Sequence, residues 1–599
     1  WRKIIMFTVS SLRLICFVTV GFSCVWVWLF HIHVMNSNLL ETDIPDESAL
    51  STKQATQNSA DLLKSKAASN FQEVSHAVVN HAEHFIKAEC SFGEETTGVH
   101  MNPKLRSLDQ KKKPVAFVAQ SQEGLKAMAP LVKEMENSSN SRYFPVLIVT
   151  PTMPPLTEID VEKLVGVSTS TNDLGCRYFS LTSTTDPKVF EAAVGLIDPV
   201  AFIGVKEERG ILHVRAIFDE LDEDYRTPLI LLPSSEFRFV TWLSHCAPEA
   251  LLNWYIPQIT ISIITANRPD SLQRLLNSLK SAVYLGDEVQ LIISAESFAD
   301  MRTLNIMNQL EWPYGQKISR HRVKQGGLIA AVMESWYPNG YDEYGILLED
   351  DIEVSTYFYV WCRYNLMTYR YGSPEDWKGG LFGISLYTPR KLELVEKKET
   401  RWDSNAFFEK NTGDPYTPFF QPLVCSWGAM FFPKVWMEFH LYAAKRIETN
   451  IHVEIAGSKS NSWSGSWKKF FYEMAYIMKY YMIYPNFKNQ HSFSTNHMGA
   501  GEHIKTDGGD DKHRPEDFTV PLIEKYEDIF DQLPNGKLPS LNKLPAISLF
   551  GKYEKQTEKY FLESHLVSSY TFALKVYDAY LKCVGRSKST GRKKKCAKS

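Results

Sequence analysis

The sequence predicts an α/β protein, in which a domain with a mostly parallel sheet is preceded by a small α/β domain, a helical stem and one transmembrane helix. Three observations carry this. A charge-free apolar run fills residues 14–30. Two later stretches, residues 114–250 and 257–504, alternate short apolar runs with helix-compatible segments, and repeated strand–helix–strand order gives parallel strands covered by helices. Between the first run and these stretches lies a polar segment, residues 36–113, without strand runs.

The chain has 599 residues, enough for roughly two to four domains. Its net charge of −3 builds no global field for nucleic acid. The nine cysteines are scattered and form no CxxC pair, which speaks against a zinc ribbon or a thioredoxin-like site.

The first element is the run LICFVTVGFSCVWVWLF, extending to residue 35 if His31 and His33 are counted. Its length is near the lower limit for a spanning helix. Arg2, Lys3 and Arg13 precede it, and Asp43, Asp46 and Glu47 follow. This asymmetry places the N-terminus in the cytosol and the rest across the membrane. The bulky Trp26, Trp28 and Phe30 at its end, with no A-x-A site, favour an uncleaved anchor over a signal peptide. The chain opens on Trp1, and Met6 is a candidate start.

Residues 36–113 read as a stem. Leu63, Ala67, Phe71, Val74, Val78, Ala82 and Phe85 recur at spacings of three and four, a stripe that suits either a lone amphipathic helix or a dimerising coil. The Lys-rich residues 111–113, followed by Pro114, read as a hinge. Next, the apolar runs at 115–119, 146–149, 201–205 and 229–232 define the small α/β domain. Asn137-Ser138-Ser139 is a glycosylation sequon within it.

The last α/β domain starts with ITISIIT, residues 259–265, as a strand. Asn267-Arg268-Pro269-Asp270 follows as a turn, with Asp270 as the expected helix cap. Leu272, Leu275, Leu276 and Leu279 mark one buried helix face. VQLIIS, residues 289–294, is a strand ending at Glu296, and YGILL, residues 344–348, is the next, ending at Glu349-Asp350-Asp351. Ligands of parallel sheets bind beyond the carboxyl ends of strands. Arg268, Glu296 and the triplet each follow such an end and are expected along one rim. Adjacent carboxylates repel unless a cation or donors offset them, and hard cations such as Mg2+ or Mn2+ take carboxylate and phosphate oxygens. No GxxxxGK[ST] loop is present, which disfavours a P-loop nucleotidase.

The order ITISIITANRPDSLQRLL, VQLIISAES, YGILLEDDIEVS resembles the nucleotide-sugar-binding half of GT-A glycosyltransferases, family 2-like, and N-acetylglucosaminyltransferase I in particular. The resemblance covers about residues 257–500. It implies a nucleoside-diphosphate sugar donor and Mn2+ (or Mg2+). Position by position, it implies Asp351 as the metal ligand, Glu349 and Asp350 on the sugar and ribose side of the donor, Glu296 near the nucleobase and Arg268 near the donor. The segment KQGGLIAAVMESW, residues 324–336, departs from the family pattern.

QPLVCSWGAMFF, residues 421–432, reads as a strand interrupted at Trp427-Gly428. There the glycine permits close approach and the indole offers a flat face for a sugar. In the resembled enzymes this segment lies beside the donor sugar. Inverting sugar transfer also needs a carboxylate base. Glu473 is the one acid in the aromatic, helix-like residues 462–487, where apolar surroundings would raise its pKa. Glu454 is the alternative. Trp463-Ser464-Gly465-Ser466-Trp467 lacks the acids that the resembled enzyme carries there. His497 and His503 follow in a loop that could reach the diphosphate or the metal.

Residues 505–551 are Pro-rich and acidic, a C-terminal wrap, and RSKSTGRKKKCAKS reads as a solvated basic tail. The expectation is a single-pass type II Golgi membrane protein, whose stem stripe allows a homodimer. It would transfer a hexose or N-acetylhexosamine, with a UDP-sugar favoured, to a glycan, protein or lipid hydroxyl. A non-catalytic carbohydrate-binding protein and a metal-dependent phosphoesterase are the competing readings.

Overall fold

The structure, a computed structural model, describes residues 86–88 and 112–554, apart from 152, 155, 169, 172–174, 221–226, 374–379, 396–399, 450–452 and 498–517. The expected membrane helix, most of the stem with its apolar stripe, His503 and the basic tail lie outside the described residues. Among the described residues no helix is long and apolar enough to cross a membrane.

The first sheet has six strands: β1 (Ile86–Ala88), β2 (Lys113–Ala119), β3 (Tyr143–Val149), β4 (Tyr178–Leu181), β5 (Phe202–Val205) and β6 (Leu229–Leu232). Their spatial order is β1-β4-β3-β2-β5-β6. All pairings are parallel except that of the edge strand β1. The expected lysine hinge is therefore where a strand begins, since Lys113 and Pro114 already pair with Tyr143 and Phe144. The chain runs outward from β2 in one direction and returns to β5 on its other side, which opens a crevice between their carboxyl ends. Glu208 fills this crevice, accepting from the Gln120 N–H at 2.9 Å and the Ser121 hydroxyl at 2.8 Å.

The second sheet begins with β7 (Gln258–Thr265), β8 (Gln290–Ala295), β9 (Lys317–His321) and β10 (Glu343–Glu349). After a short strand β11 (Ile352–Val354) come β12 (Leu381–Ser385), β13 (Phe419–Gln421), β14 (Ala429–Phe431) and β15 (Tyr481–Tyr484). The chain closes with β16 (Ser494–Asn496), β17 (Ala546–Ile547) and β18 (Tyr553–Glu554). The ten-stranded order is β9-β8-β7-β10-β14-β12-β15-β13-β17-β18, while β11 and β16 form a separate ribbon.

The sheet is parallel from β9 to β10 and mixed beyond, because β14 runs antiparallel to both neighbours, β10 and β12. The expectation of a mostly parallel sheet thus holds for one half only. The expected wrap contributes β17, which pairs with β13 through Phe420 and Ala546. Strand β9 is an edge strand of charged, largely exposed residues, so it carries no apolar run to betray it. The helix expected over 462–487 is Trp467–Met478, and the chain then turns into β15.

Helix Pro269–Lys280 buries the four expected leucines against the sheet. Its cap is Arg268, with Pro269 at the first helical position, and Asp270 lies in the first turn. Proline fits that position because its missing N–H is unpaired there anyway. One continuous apolar core runs through both sheets. Helix Phe358–Tyr369, buried nearly all round, supports their junction. Its Arg363 pairs with Asp287 at 3.2 Å and lies 4.5 Å over the Trp254 ring.

Gly345 of β10 packs directly under the Trp336 indole, so an added Cβ would overlap the ring. Gly345→Ala is therefore expected to destabilise the protein by about 1–3 kcal/mol. Thermal denaturation checks this, and an unchanged melting temperature would contradict the packing.

Candidate active site

The chain leaves β7 toward β8 and β9 on one side and returns to β10 on the other. The carboxyl ends of β7 and β10 therefore flank a topological switch point, where open α/β sheets bind ligands. Arg268 lies three residues past the end of β7, and Glu349-Asp350-Asp351 stands at the end of β10.

These side chains meet. Arg268 pairs with Asp350 at 2.5 Å and with Asp351 at 3.2 Å. Asp350 is fully buried and also accepts from the Thr265 hydroxyl at 2.8 Å. It therefore holds Arg268 and does not present itself to the ribose or sugar of a donor, as the sequence suggested. Burial pushes the Asp350 carboxyl up, partly offset by Arg268. Burial, then Asp351 and Asp350, push Glu349 up to about 8 against the opposing pull of Arg268 and Lys468. Burial first, and close negative neighbours second, thus make Glu349 the member of the triplet that gives up its charge most readily.

The register of β10 with β14 pairs Leu347 with Ala429. Continued outward, it sets Gly428 beside Leu348 and Trp427 at the level of Glu349. Gly428 has a φ of +95° and lies close against Leu348 and Ser494. A side chain there would be strained and crowded. The half-buried Trp427 packs on Tyr387, ring centroids 4.9 Å apart. His497 follows β16 and donates its N–H to the Asp351 carbonyl at 2.8 Å, while its Nε2 lies 2.6 Å from Glu353.

Glu296 ends β8, next to β7 through the Ala295–Thr265 pair. Its carboxylate accepts from the backbone N–H groups of Ser297 at 2.8 Å, of Gly326 at 3.2 and 3.3 Å, and of Gly327 at 3.1 Å. Burial alone would raise its pKa, but these donors outweigh it and hold the carboxyl below the usual range. Glu296 thus ties the Gly326–Gly327 loop to the sheet rim. The departure in residues 324–336 finds its physical use here, since the loop serves as donor to Glu296.

Glu473 does not stand free to act as a base. It is 2% exposed, bonded by Arg446 through both oxygens at 2.7 and 3.3 Å, and by the Tyr442 hydroxyl at 3.0 Å. The partner is Arg446 of the neighbouring helix and not Lys469 one turn back, whose amino group caps the Asn461 and Trp463 carbonyls. Glu454 is exposed on the connection before the turn Lys459–Ser462. Sequence reading missed Lys468 and Glu393. Lys468 is buried, lies 4.9 Å over the Trp427 ring and 5.7 Å over the Trp463 ring, and pairs with Glu393 at 2.8 Å. Residues 75 positions apart leave no local signal in a sequence.

A divalent cation fits Asp351. Its Oδ1 and that of Asp350 are buried and have no hydrogen-bond partner among the described residues, but Asp350 Oδ1 is ion-paired with Arg268. No cluster of three or more His, Cys, Asp or Glu there could hold a metal by itself. A hard cation at Asp351 would complete its shell with phosphate oxygens and water, as magnesium-like ions do.

The family described as the SPBC1E8.03c C-terminal domain matches residues 270–383. No curated protein matches the sequence. Among solved structures, S. aureus TarS 1-349 is 11% identical over 38% of this chain and 60% of that one, with a TM-score of 0.23. GalNAc-T7 with UDP, GalNAc and Mn2+ is 13% identical over 38% and 42%, with a TM-score of 0.26. The mannosyltransferase PcManGT from Pyrobaculum calidifontis in complex with GDP-Man and Mn2+ is 11% identical over 42% and 64%, with a TM-score of 0.23. In each case the match spans less than two thirds of the solved chain. At these TM-scores the likeness adds no weight, and the functional reading rests on the side chains described above.

Removing Arg268 would strand a buried carboxylate. Arg268→Met is expected to cost about 3–5 kcal/mol of stability, and adding Asp350→Asn in the same chain should recover most of it. Equal losses in the single and double variants by chemical denaturation would contradict the pairing.

Proposed function

We propose that the chain is a glycosyltransferase of the GT-A type, moving a sugar from a nucleoside-diphosphate donor to a hydroxyl of a glycan, protein or lipid. The observation that supports this most is the unpartnered, buried Asp351 Oδ1 at the switch point, beside Arg268 and two residues beyond the level of Trp427 on the neighbouring strand. Asp351 would hold the Mn2+ or Mg2+, which supplies Lewis-acid stabilisation of a leaving diphosphate. Arg268, fixed by Asp350, adds a permanent positive charge at the same rim. Trp427 would border the sugar by its edge, its ring being packed by Lys468 and Tyr387, and Gly428 leaves no side chain between that sugar and the backbone. With the acceptor hydroxyl attacking from the face opposite the diphosphate, the transfer inverts the anomeric centre. A hexose or N-acetylhexosamine carried by UDP is the donor in this reading. The apolar run at residues 14–30 and its flanking charges support a type II membrane protein with these domains in the Golgi lumen, with contact between two copies through the stem.

The test is sugar transfer and donor hydrolysis with Mn2+ over a panel of nucleotide sugars. The protein should turn over at least one donor, and Asp351→Ala should lower that rate by about 100-fold or more. Turnover of no donor contradicts the reading. Phosphate release without sugar transfer would make the protein a phosphoesterase.

A further inference from the structure

Glu473 is sealed by Arg446 and Tyr442, so sugar transfer at this rim lacks the carboxylate base that the sequence assigned to it. A replacement must be acidic, must reach solvent on the rim that carries the triplet, and must be held in place. Glu393 is acidic, partly exposed after a strand that ends on that rim, and held by two partners. It lies in the segment that follows the carboxyl end of β12, the same rim that carries Trp427, and its side chain is 18% exposed. Tyr472 donates its hydroxyl at 2.7 Å, and the Lys468 amino group lies 3.1 and 2.8 Å from the two carboxylate oxygens. Lys468 in turn rests on the face of Trp427, and its charge acts on Glu349 of the triplet. One lysine therefore bridges Trp427 and this carboxylate.

We infer that, if the protein is the transferase proposed above, Glu393 takes the proton of the acceptor hydroxyl, with Lys468 and Tyr472 as its positioning residues. In that step the acceptor oxygen bonds to the donor's anomeric carbon. The bond from that carbon to the diphosphate oxygen breaks, and its electron pair leaves with the diphosphate. The hydroxyl proton passes to the Glu393 carboxylate. Lys468 is the charged group facing Glu393. Cys425, Tyr472 and Tyr484 also sense its charge, and burial pushes all three up so that they stay neutral.

The test compares the full chain with Glu393→Gln, Lys468→Met and Lys468→Arg, measuring transfer, donor binding and the pH profile, with melting temperatures to confirm folding. Glu393→Gln should lower kcat for transfer by about 100-fold or more and leave donor affinity within about twofold. Lys468→Met removes a positive charge beside the carboxylate. The acid limb of its pH profile should therefore move to higher pH, and Lys468→Arg should move it back. Transfer by a folded Glu393→Gln within about threefold of wild type overturns the assignment, as does a loss seen only in donor affinity. A wild-type chain inert toward every donor would instead sink the transferase reading, and this assignment with it.

Discussion

The buried pair between Arg268 and Asp350 is the constraint on which the site depends. Three adjacent carboxylates end the central strand β10, and two of them share one guanidinium. Without it, Asp350 would be a buried charge supported by the Thr265 hydroxyl and the Ala266 backbone N–H, with no opposite charge. With it, the carboxyl ends of β7 and β10 are tied together across the switch point, and Asp351 is left with one oxygen engaged and one unengaged. Glu349 is the member that burial and its neighbours drive toward neutrality. The triplet thus divides into a member held by Arg268, a member with one unpartnered oxygen and one that burial drives toward neutrality.

The scaffold around it is stiff where the site needs stiffness. Gly345 lies against Trp336 two strand positions before Leu347, which pairs with Ala429. In the buried helix Phe358–Tyr369, Arg363 pairs with Asp287 and donates to the Trp254 carbonyl just before β7, and Lys206, after β5 of the first sheet, bonds the Gly286 carbonyl before β8 of the second at 2.7 Å. At the first sheet's own switch point Glu208 bonds Gln120 and Ser121, and the apolar core is continuous through both sheets.

What the sequence made legible follows from local signals. Strands β7, β8 and β10 are apolar runs, and helix Pro269–Lys280 shows its leucines at helical spacing. The grouping of Arg268 with the triplet followed from strand order alone. Strand β9 stayed hidden because an exposed edge needs no apolar face. Asp350 could not be separated from Asp351, because burial differs between them while their chemistry does not. The surroundings of Glu473 and Glu393 were hidden for a similar reason. Their partners, Arg446 and Lys468, lie 27 and 75 residues away, a distance over which one sequence carries no pattern.

The central claim is that Asp351 seats a cation jointly with a diphosphate. Titrating Mn2+ into the protein by calorimetry, with and without a nucleoside diphosphate, tests it most directly. The account predicts weak metal binding alone, binding at least about tenfold tighter with the nucleotide present, and no such coupling in Asp351→Ala. Equal metal affinity with and without the nucleotide, or coupling that survives Asp351→Ala, would contradict it.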